Sequence, residues 1–548
     1  MNRFIKISFT LLLLSSIIFA ENDKDFYFKM SRSIDIFGRV YKEVNQNYVD
    51  ALNPEEFILA GIKGMLSSLD PYTIFVDESL QKDMDVITKG KYGGIGATIG
   101  LRNEKVTVVD LIEGYSAQRQ GIRIGDVIKE IDGLKIDKDN YKDLSLFIKG
   151  EPGTEVSMLI DRDGNDDEIV FNLVREEVEI KNLTYYGFVP EESNNVYLKL
   201  SGFTRTAGDE IKRAISELKK QKEIKSLVLD LRGNPGGLLD VAIDVAEKFV
   251  KKNQLVVSVA NRDSFDVKEY YSKEEPIVGD TKLVVLVDKG TASASEIVAG
   301  AIQDHDRGIV LGTRSFGKGL VQTVIPLSHN TSLKITTAKY FTPSGRSIQK
   351  INYSNKNKVF ENTTIIDSTK YSTDNSRVVR GAGGIEPDTV VTNEVDCEQF
   401  KDLVAQGMFF KFATKYFNAN DSINFSELSD EKLFTDFKQY LGNQDFKYKS
   451  KPEKLLAELK KISDKDNYGE QFNSTLDELL KKTETFKQKE IELQKEFIVA
   501  EIKKELAGRT DGRDGRIKEY LNTDKQFDIA LEILQNEELY NRILKISE

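Results

Sequence analysis

Three observations predict a multidomain α/β chain that carries a small β-rich module and is helical at both ends. Between 196 and 345 buried-type strands alternate with amphipathic helices. Between 93 and 175 the chain turns to short β runs separated by Gly turns. Outside both stretches, apolar residues recur at helical spacing. A length of 548 residues suits about three or four domains at roughly 150 residues each.

Taken in order, Arg3 and Lys6 precede an apolar run, Ile7 to Phe19, and Ala20 stands before Glu21-Asn22-Asp23. This predicts an export signal over 1–20. The run is near the lower limit for spanning a bilayer, so a retained anchor is the second reading. No Cys follows it, which removes lipid attachment there. The region 21–92 is expected to be helical. Ile34, Phe37, Tyr41 and Val44 share one face, Asn53-Pro54-Glu55-Glu56 starts a helix, and Asp70-Pro71 stops it. Val106 to Val109, Asp126 to Ile128 and Val156 to Ile160 read as strands of a module over 93–175. In the core, 176–395, Ser226 to Leu231, Leu283 to Val287 and Ile309 to Leu311 read as strands, and Leu238 to Val250 and Ser293 to Gln303 as helices. The stretch 347–380 reads as a polar insertion. The region 396–548 is charged and helical, with Ile491, Ile498, Ile502 and Leu506 on one face and Gly508 as a cap.

Composition narrows the chemistry. With 2 His and 1 Cys, a zinc site of His and Cys would need nearly all of both, so no metal is expected. Cys397 cannot form an internal disulfide, and a thiol enzyme would need a His beside it. A net charge of −11 argues against nucleic acid as the main partner, since phosphates need a positive face.

Three stretches can carry chemistry. Gly290-Thr291-Ala292-Ser293-Ala294-Ser295-Glu296 joins a strand to a helix. Ser293 there can be a nucleophile at a helix N-terminus, or half of a capping box with Glu296, and the stretch alone leaves both open. Gly312 to Gly319 nearly fits a phosphate loop, but position 319 is Gly and a β-like segment follows, so the nucleotide reading fails. What remains is Lys318 between two glycines, either a surface side chain or a desolvated base able to deprotonate a Ser. Asp230 to Leu238 leaves a strand through Pro235-Gly236-Gly237, which either points N–H groups at an anion or makes a tight turn. His305 lies twelve residues beyond Ser293, roughly 18 Å along one helix, and cannot be its base. His329 sits in a turn.

At this point the sequence resembles the carboxyl-terminal processing (tail-specific) serine peptidases. The resemblance rests on Leu69 to Thr73, Tyr92 to Ala97 with Gly121 to Ile128, Asp230 to Gly237, Thr291 to Glu296, Ser315 to Gln322, Tyr340 to Arg346 and Gly384 to Asp388. It spans about residues 28 to 390. It implies a crotonase/Clp-like α/β serine peptidase core with an inserted PDZ domain, and no cofactor. Position by position, it implies Ser293 as nucleophile, Lys318 as base and Gln322 as the residue orienting that Lys. The implied oxyanion donors are the backbone N–H groups of Gly236, Gly237 and Ala294. The implied carboxylate loop is Gly93, Gly94, Ile95 and Gly96, and the implied partners are unfolded or C-terminally exposed proteins. Ser295 is off the family's position. The insertion and the tail depart from the pattern; the helical ends are candidate surfaces for a homodimer or an adaptor. Two rival readings are a catalytically silent scaffold of the same fold and a crotonase-like acyl-transfer enzyme, which lacks a recognisable coenzyme site.

Overall fold

The computed structural model describes residues 2–78, 80–81, 84, 86, 90–262, 266–353, 363–364, 369–393, 395, 397–420, 423, 428–444, 446 and 448–546; for 2–24, 142, 363–364 and 488 it gives the backbone alone. These residues form two compact units.

The first unit comprises residues 1–78, 322–336 and 353–362. A helix runs Asn2–Asn47 and a second Pro54–Ser67. Asn53 caps the second by accepting the Glu55 N–H at 3.0 Å, with Pro54 where a missing N–H costs nothing. Tyr41 stacks on Phe57, with ring centroids 5.9 Å apart, which ties the two helices together. The Asp70 carboxylate accepts from the N–H groups of Tyr72 and Thr73, both at 2.8 Å, and ends the helical region. Ile74–Val76 is then a strand, antiparallel to Ser332–Lys334. This corrects the helical expectation over 21–92: the apolar triplet is too short and too β-prone to extend a helix stopped by Pro71. Among the described residues, no helix is long and apolar enough to cross a membrane.

In the second unit, the module near the N-terminal side is an antiparallel sheet ordered 97–102, 105–111, 127–131, 155–161, 169–174. Its core is built from Ile95, Val108, Ile128, Met158, Ile160 and Leu173. Among the described residues, the strand Ala97–Arg102 lies at one edge of this sheet, paired on one side. The larger sheet is ordered Leu183–Phe188, Asn195–Leu200, Ser226–Asp230, Lys282–Val287, Ile309–Gly312, Thr389–Val390. Every pairing after the first is parallel. The middles of its central strands, 227–229, 283–287 and 309–311, are apolar because both faces are covered. On one face Leu198, Leu229 and Val285 meet the helices Ala207–Gln221, Leu239–Glu247 and Ala294–Asp304. On the other, Tyr197, Val228, Val284 and Leu311 meet Phe527, Ala530, Ile533 and Tyr540. The last two helices, Lys525–Gln535 and Glu537–Leu544, are therefore a covering layer of the larger sheet.

The remaining C-terminal helices have their own core, in which Phe409, Phe412, Phe437, Ile498, Ile502 and Leu506 pack together. Gly508 is not a cap. It lies inside the helix Lys495–Thr510, where an added Cβ would meet the Arg516 guanidinium at 2.5 Å. Of the polar stretch 347–380, residues 354–362 and 365–368 lie outside the described residues. Lys370–Ser372 and Val378–Arg380 form a hairpin. Arg377 beside it is buried, with Nε on Asp306 and Nη1 on Asp388, both at 2.5 Å.

Candidate active site

The parallel strand Ser226–Asp230 ends in a loop that folds onto the turn carrying Ser293. Asn234 organises it: Nδ2 donates to Leu200 O at 2.9 Å, Oδ1 accepts the Gly236 N–H at 2.9 Å, and its carbonyl accepts from Ala292 N–H and Ser295 Oγ, each at 3.0 Å. Gly236 has φ +96°, and a Cβ there would lie 2.6 Å from Ala292 O and 2.8 Å from Ala294 N. Only glycine permits this approach. Two expectations are sharpened. Ser295 is fully buried and its hydroxyl is engaged by the loop. The Gly236 N–H is already satisfied by Asn234, which leaves Gly237 and Ala294 as the candidate oxyanion donors.

Ser293 follows the strand Lys282–Val287 and precedes the helix Ala294–Asp304, with φ 55° and ψ −113°. A non-glycine residue held there stores about 1–3 kcal/mol of strain and persists only where its surroundings fix it. Those surroundings are visible. The Ser293 N–H donates to Glu296 Oε2 at 2.9 Å, and its carbonyl accepts from the Tyr340 hydroxyl at 3.2 Å. Ser293 thus sits at the cap position while Glu296 is drawn into a wider role.

Glu296 is fully buried and receives four donors. Oε1 accepts from Ser315 Oγ at 2.5 Å and Gly317 N–H at 2.8 Å; Oε2 accepts from Ser293 N–H and Lys318 N–H, both at 2.9 Å. Burial outweighs these bonds and pushes its carboxyl up to about 7. Two nitrogens each 2.9 Å from one oxygen are at most about 6 Å apart, so the backbones of Ser293 and Lys318 are neighbours. The Tyr340 hydroxyl also donates to the Lys318 carbonyl, at 2.5 Å. Both residues are half-buried. Gln322 belongs to the first unit, where its Nε2 donates to Thr336 Oγ1 at 3.3 Å.

The chain matches the family model Peptidase family S41 over residues 194–355 and the model PDZ domain over 93–173. It also matches the model Probable PDZ-protease, C-terminal helical domain, over 400–534. It is 37% identical over 348 residues to the Carboxy-terminal-processing protease of Bartonella bacilliformis, covering 63% of this chain and 78% of that one. The chain belongs to the carboxy-terminal-processing proteases of peptidase family S41. A second relative of this protease, the Carboxy-terminal processing protease CtpB of Bacillus subtilis, is 32% identical over 325 residues, covering 58% of this chain and 66% of its own. Among solved structures, the photosystem II D1 C-terminal processing protease is 28% identical and covers 67% of this chain and 94% of that one, with a TM-score of 0.36.

Within the protease His305 stands apart from Ser293. His305 caps the far end of the helix that Ser293 begins, with its ring nitrogens on Asp374 (2.8 Å) and the Leu255 carbonyl (2.7 Å). His329 is exposed in a turn of the first unit. Gly93 and Gly94 end the strand Lys91–Gly94, paired with Glu177 and Glu176, so the turn proper is Ile95-Gly96. Reasoning from sequence missed Asn234, Ser315 and Tyr340 as site residues, although each lies inside a motif the resemblance uses. Among the described residues no group of three or more His, Cys, Asp or Glu could hold a metal ion.

Proposed function

We propose that this protease is an exported serine endopeptidase that takes protein substrates by their C-terminal ends and cleaves them through an acyl-enzyme on Ser293. Lys318 is the general base, and Gln322 keeps the Lys-orienting role that its place in the family motif implies. The Ser293 Oγ–H proton passes to the neutral Lys318 amine as Oγ bonds the substrate carbonyl carbon. The N–H groups of Gly237 and Ala294 receive the oxyanion. The C–N bond then breaks, the amine returns the proton to the leaving group, and a water deprotonated by the same amine hydrolyses the ester. The PDZ domain takes the free carboxylate at the turn Ile95-Gly96, with the peptide adding along the open edge of Ala97–Arg102. The signal-like segment 1–20 supports a place in the periplasm or on the outer face of the inner membrane.

The observation that carries this reading is the sharing of one Glu296 oxygen by the N–H groups of Ser293 and Lys318. The test is cleavage of an unstructured peptide with an apolar free C-terminus, with products located by mass. Ser293→Ala and Lys318→Ala are each expected to abolish it; ordinary turnover by either variant overturns the dyad.

A further inference from the structure

We infer that Glu296 is a positioning residue of the proteolytic reaction, one carboxylate that holds the nucleophile and the base in register. The inference rests on the Ser293 and Lys318 assignment above. Its geometry is specific. Ser293 and Lys318 lie on separate elements, and each is held at both ends of its peptide unit by the same two side chains. Their N–H groups meet Glu296 Oε2, and their carbonyls meet the Tyr340 hydroxyl. The other carboxylate oxygen holds the loop that presents Lys318, through Ser315 and Gly317. Ser315 Oγ in turn accepts the Ile385 N–H at 2.6 Å, which fixes that loop to the Gly384-Ile385 turn.

An ionised carboxylate suits this place best. All four partners are donors, and a carboxylate is acceptor-only, with about four lone-pair sites. An amide of the same size would turn its own N–H groups toward two of those donors. A helix cap alone would need the Ser293 N–H and nothing from 315–318, so three of the four bonds lie outside any capping role. The strained Ser293 backbone explains why the clamp is needed: at φ 55° the turn relaxes unless its N–H and carbonyl are both held. A relaxation of about 1 Å between reacting groups can cost about a hundredfold in rate.

The test uses the full-length protease and the same free-ended peptide. Ser293→Ala and Lys318→Ala come first; if either turns over normally, the dyad assignment fails and this inference falls with it. With both inactive, Glu296→Gln is expected to lower kcat by about a hundredfold with KM within about twofold, because peptide capture lies elsewhere. Labelling of Ser293 by a fluorophosphonate should slow in parallel. A folded Glu296→Gln variant with kcat within about threefold of the parent overturns the inference, as does a loss confined to KM. Should Glu296→Gln fail to fold, Glu296→Asp decides. It keeps the charge but is one methylene short, and kcat is expected to fall between parent and Ser293→Ala; parental kcat overturns the inference.

Discussion

The backbone N–H groups of Ser293 and Lys318, far apart in the chain, donate to a single oxygen of Glu296 at 2.9 Å each. The carboxyl accepts from all four of its donors only while it is ionised, and burial has pushed it up to about 7. Cleavage is therefore expected to fall as pH drops through about 7. The Ser315 hydroxyl stabilises the ionised form, so Ser315→Ala should move that acid limb to higher pH. A pH profile of kcat/KM for parent and variant checks this, and an unmoved limb counts against it. Stability runs the other way. The folded state holds this proton up to about 7, whereas the unfolded chain releases it near 4.5. Glu296 thus costs stability as pH rises through that window, by about 3 kcal/mol. Urea midpoints of the parent at pH 5 and 7.5, set against Glu296→Gln, should lose this difference in the variant.

Gly236 gives a second prediction. Its positive φ and its approach to Ala292 O and Ala294 N leave no room for a methyl group. Gly236→Ala is expected to push the loop off the Ser293 turn and misplace the Gly237 and Ala294 N–H groups. Loss of aligned oxyanion donors costs about a hundredfold or more in kcat. Peptide kinetics should report that loss with KM nearly unchanged. Parental kcat would exclude the loop from the site.

Substrate capture is testable on the peptide itself. A free carboxylate bound by backbone N–H groups is a charge-assisted interaction worth about 1.5–3 kcal/mol. Amidating the C-terminus is expected to raise KM about tenfold or more and leave kcat near its parental value. Equal KM for the two peptides would argue against carboxylate capture by the PDZ domain.

Much of the fold was legible because its signals are local. The apolar runs Ser226–Asp230 and Lys282–Val287 are strands buried on both faces, and the alternation across 97–174 is that of a half-buried antiparallel sheet. Ser293 and Lys318 were legible as a pair only through motif resemblance, since nothing in their spacing links them. Glu296 was visible as a cap partner and no more: its other three donors come from 315–318, and long-range contacts leave no periodic trace. The same reason hid the last two helices. The region 396–548 reads as one charged helical tail, and nothing local says that Phe527, Ile533 and Tyr540 cover the peptidase sheet.

That covering layer is tied by charge to the loop that carries Gly236, which gives the last prediction. Arg232 is buried four residues before Gly236. Its Nη2 donates to Asp230 at 2.7 Å and Asp524 at 2.5 Å, and its Nη1 to Gln526 at 2.8 Å. Asp524 has a second duty, since its other oxygen accepts the N–H groups of Gln526 and Phe527 and caps the helix Lys525–Gln535. The two duties can be separated. Asp524→Asn keeps a cap but removes one of the charges facing a buried guanidinium, whereas Asp524→Ala removes both. Breaking a buried pair costs about 3–5 kcal/mol and losing a cap about 1 kcal/mol more. Asp524→Ala should therefore lower the urea midpoint further than Asp524→Asn, and both should lie well below the parent. Acid should weaken the same network from the Asp230 side. Burial alone would raise the Asp230 carboxyl, but Arg232 and Lys199 hold it well below the usual carboxylate range. Its contribution is thus present above about 4 and lost as pH falls below the unfolded value. A stability gap between parent and Asp230→Asn that stayed constant from pH 7 to pH 3 would count against this charge network.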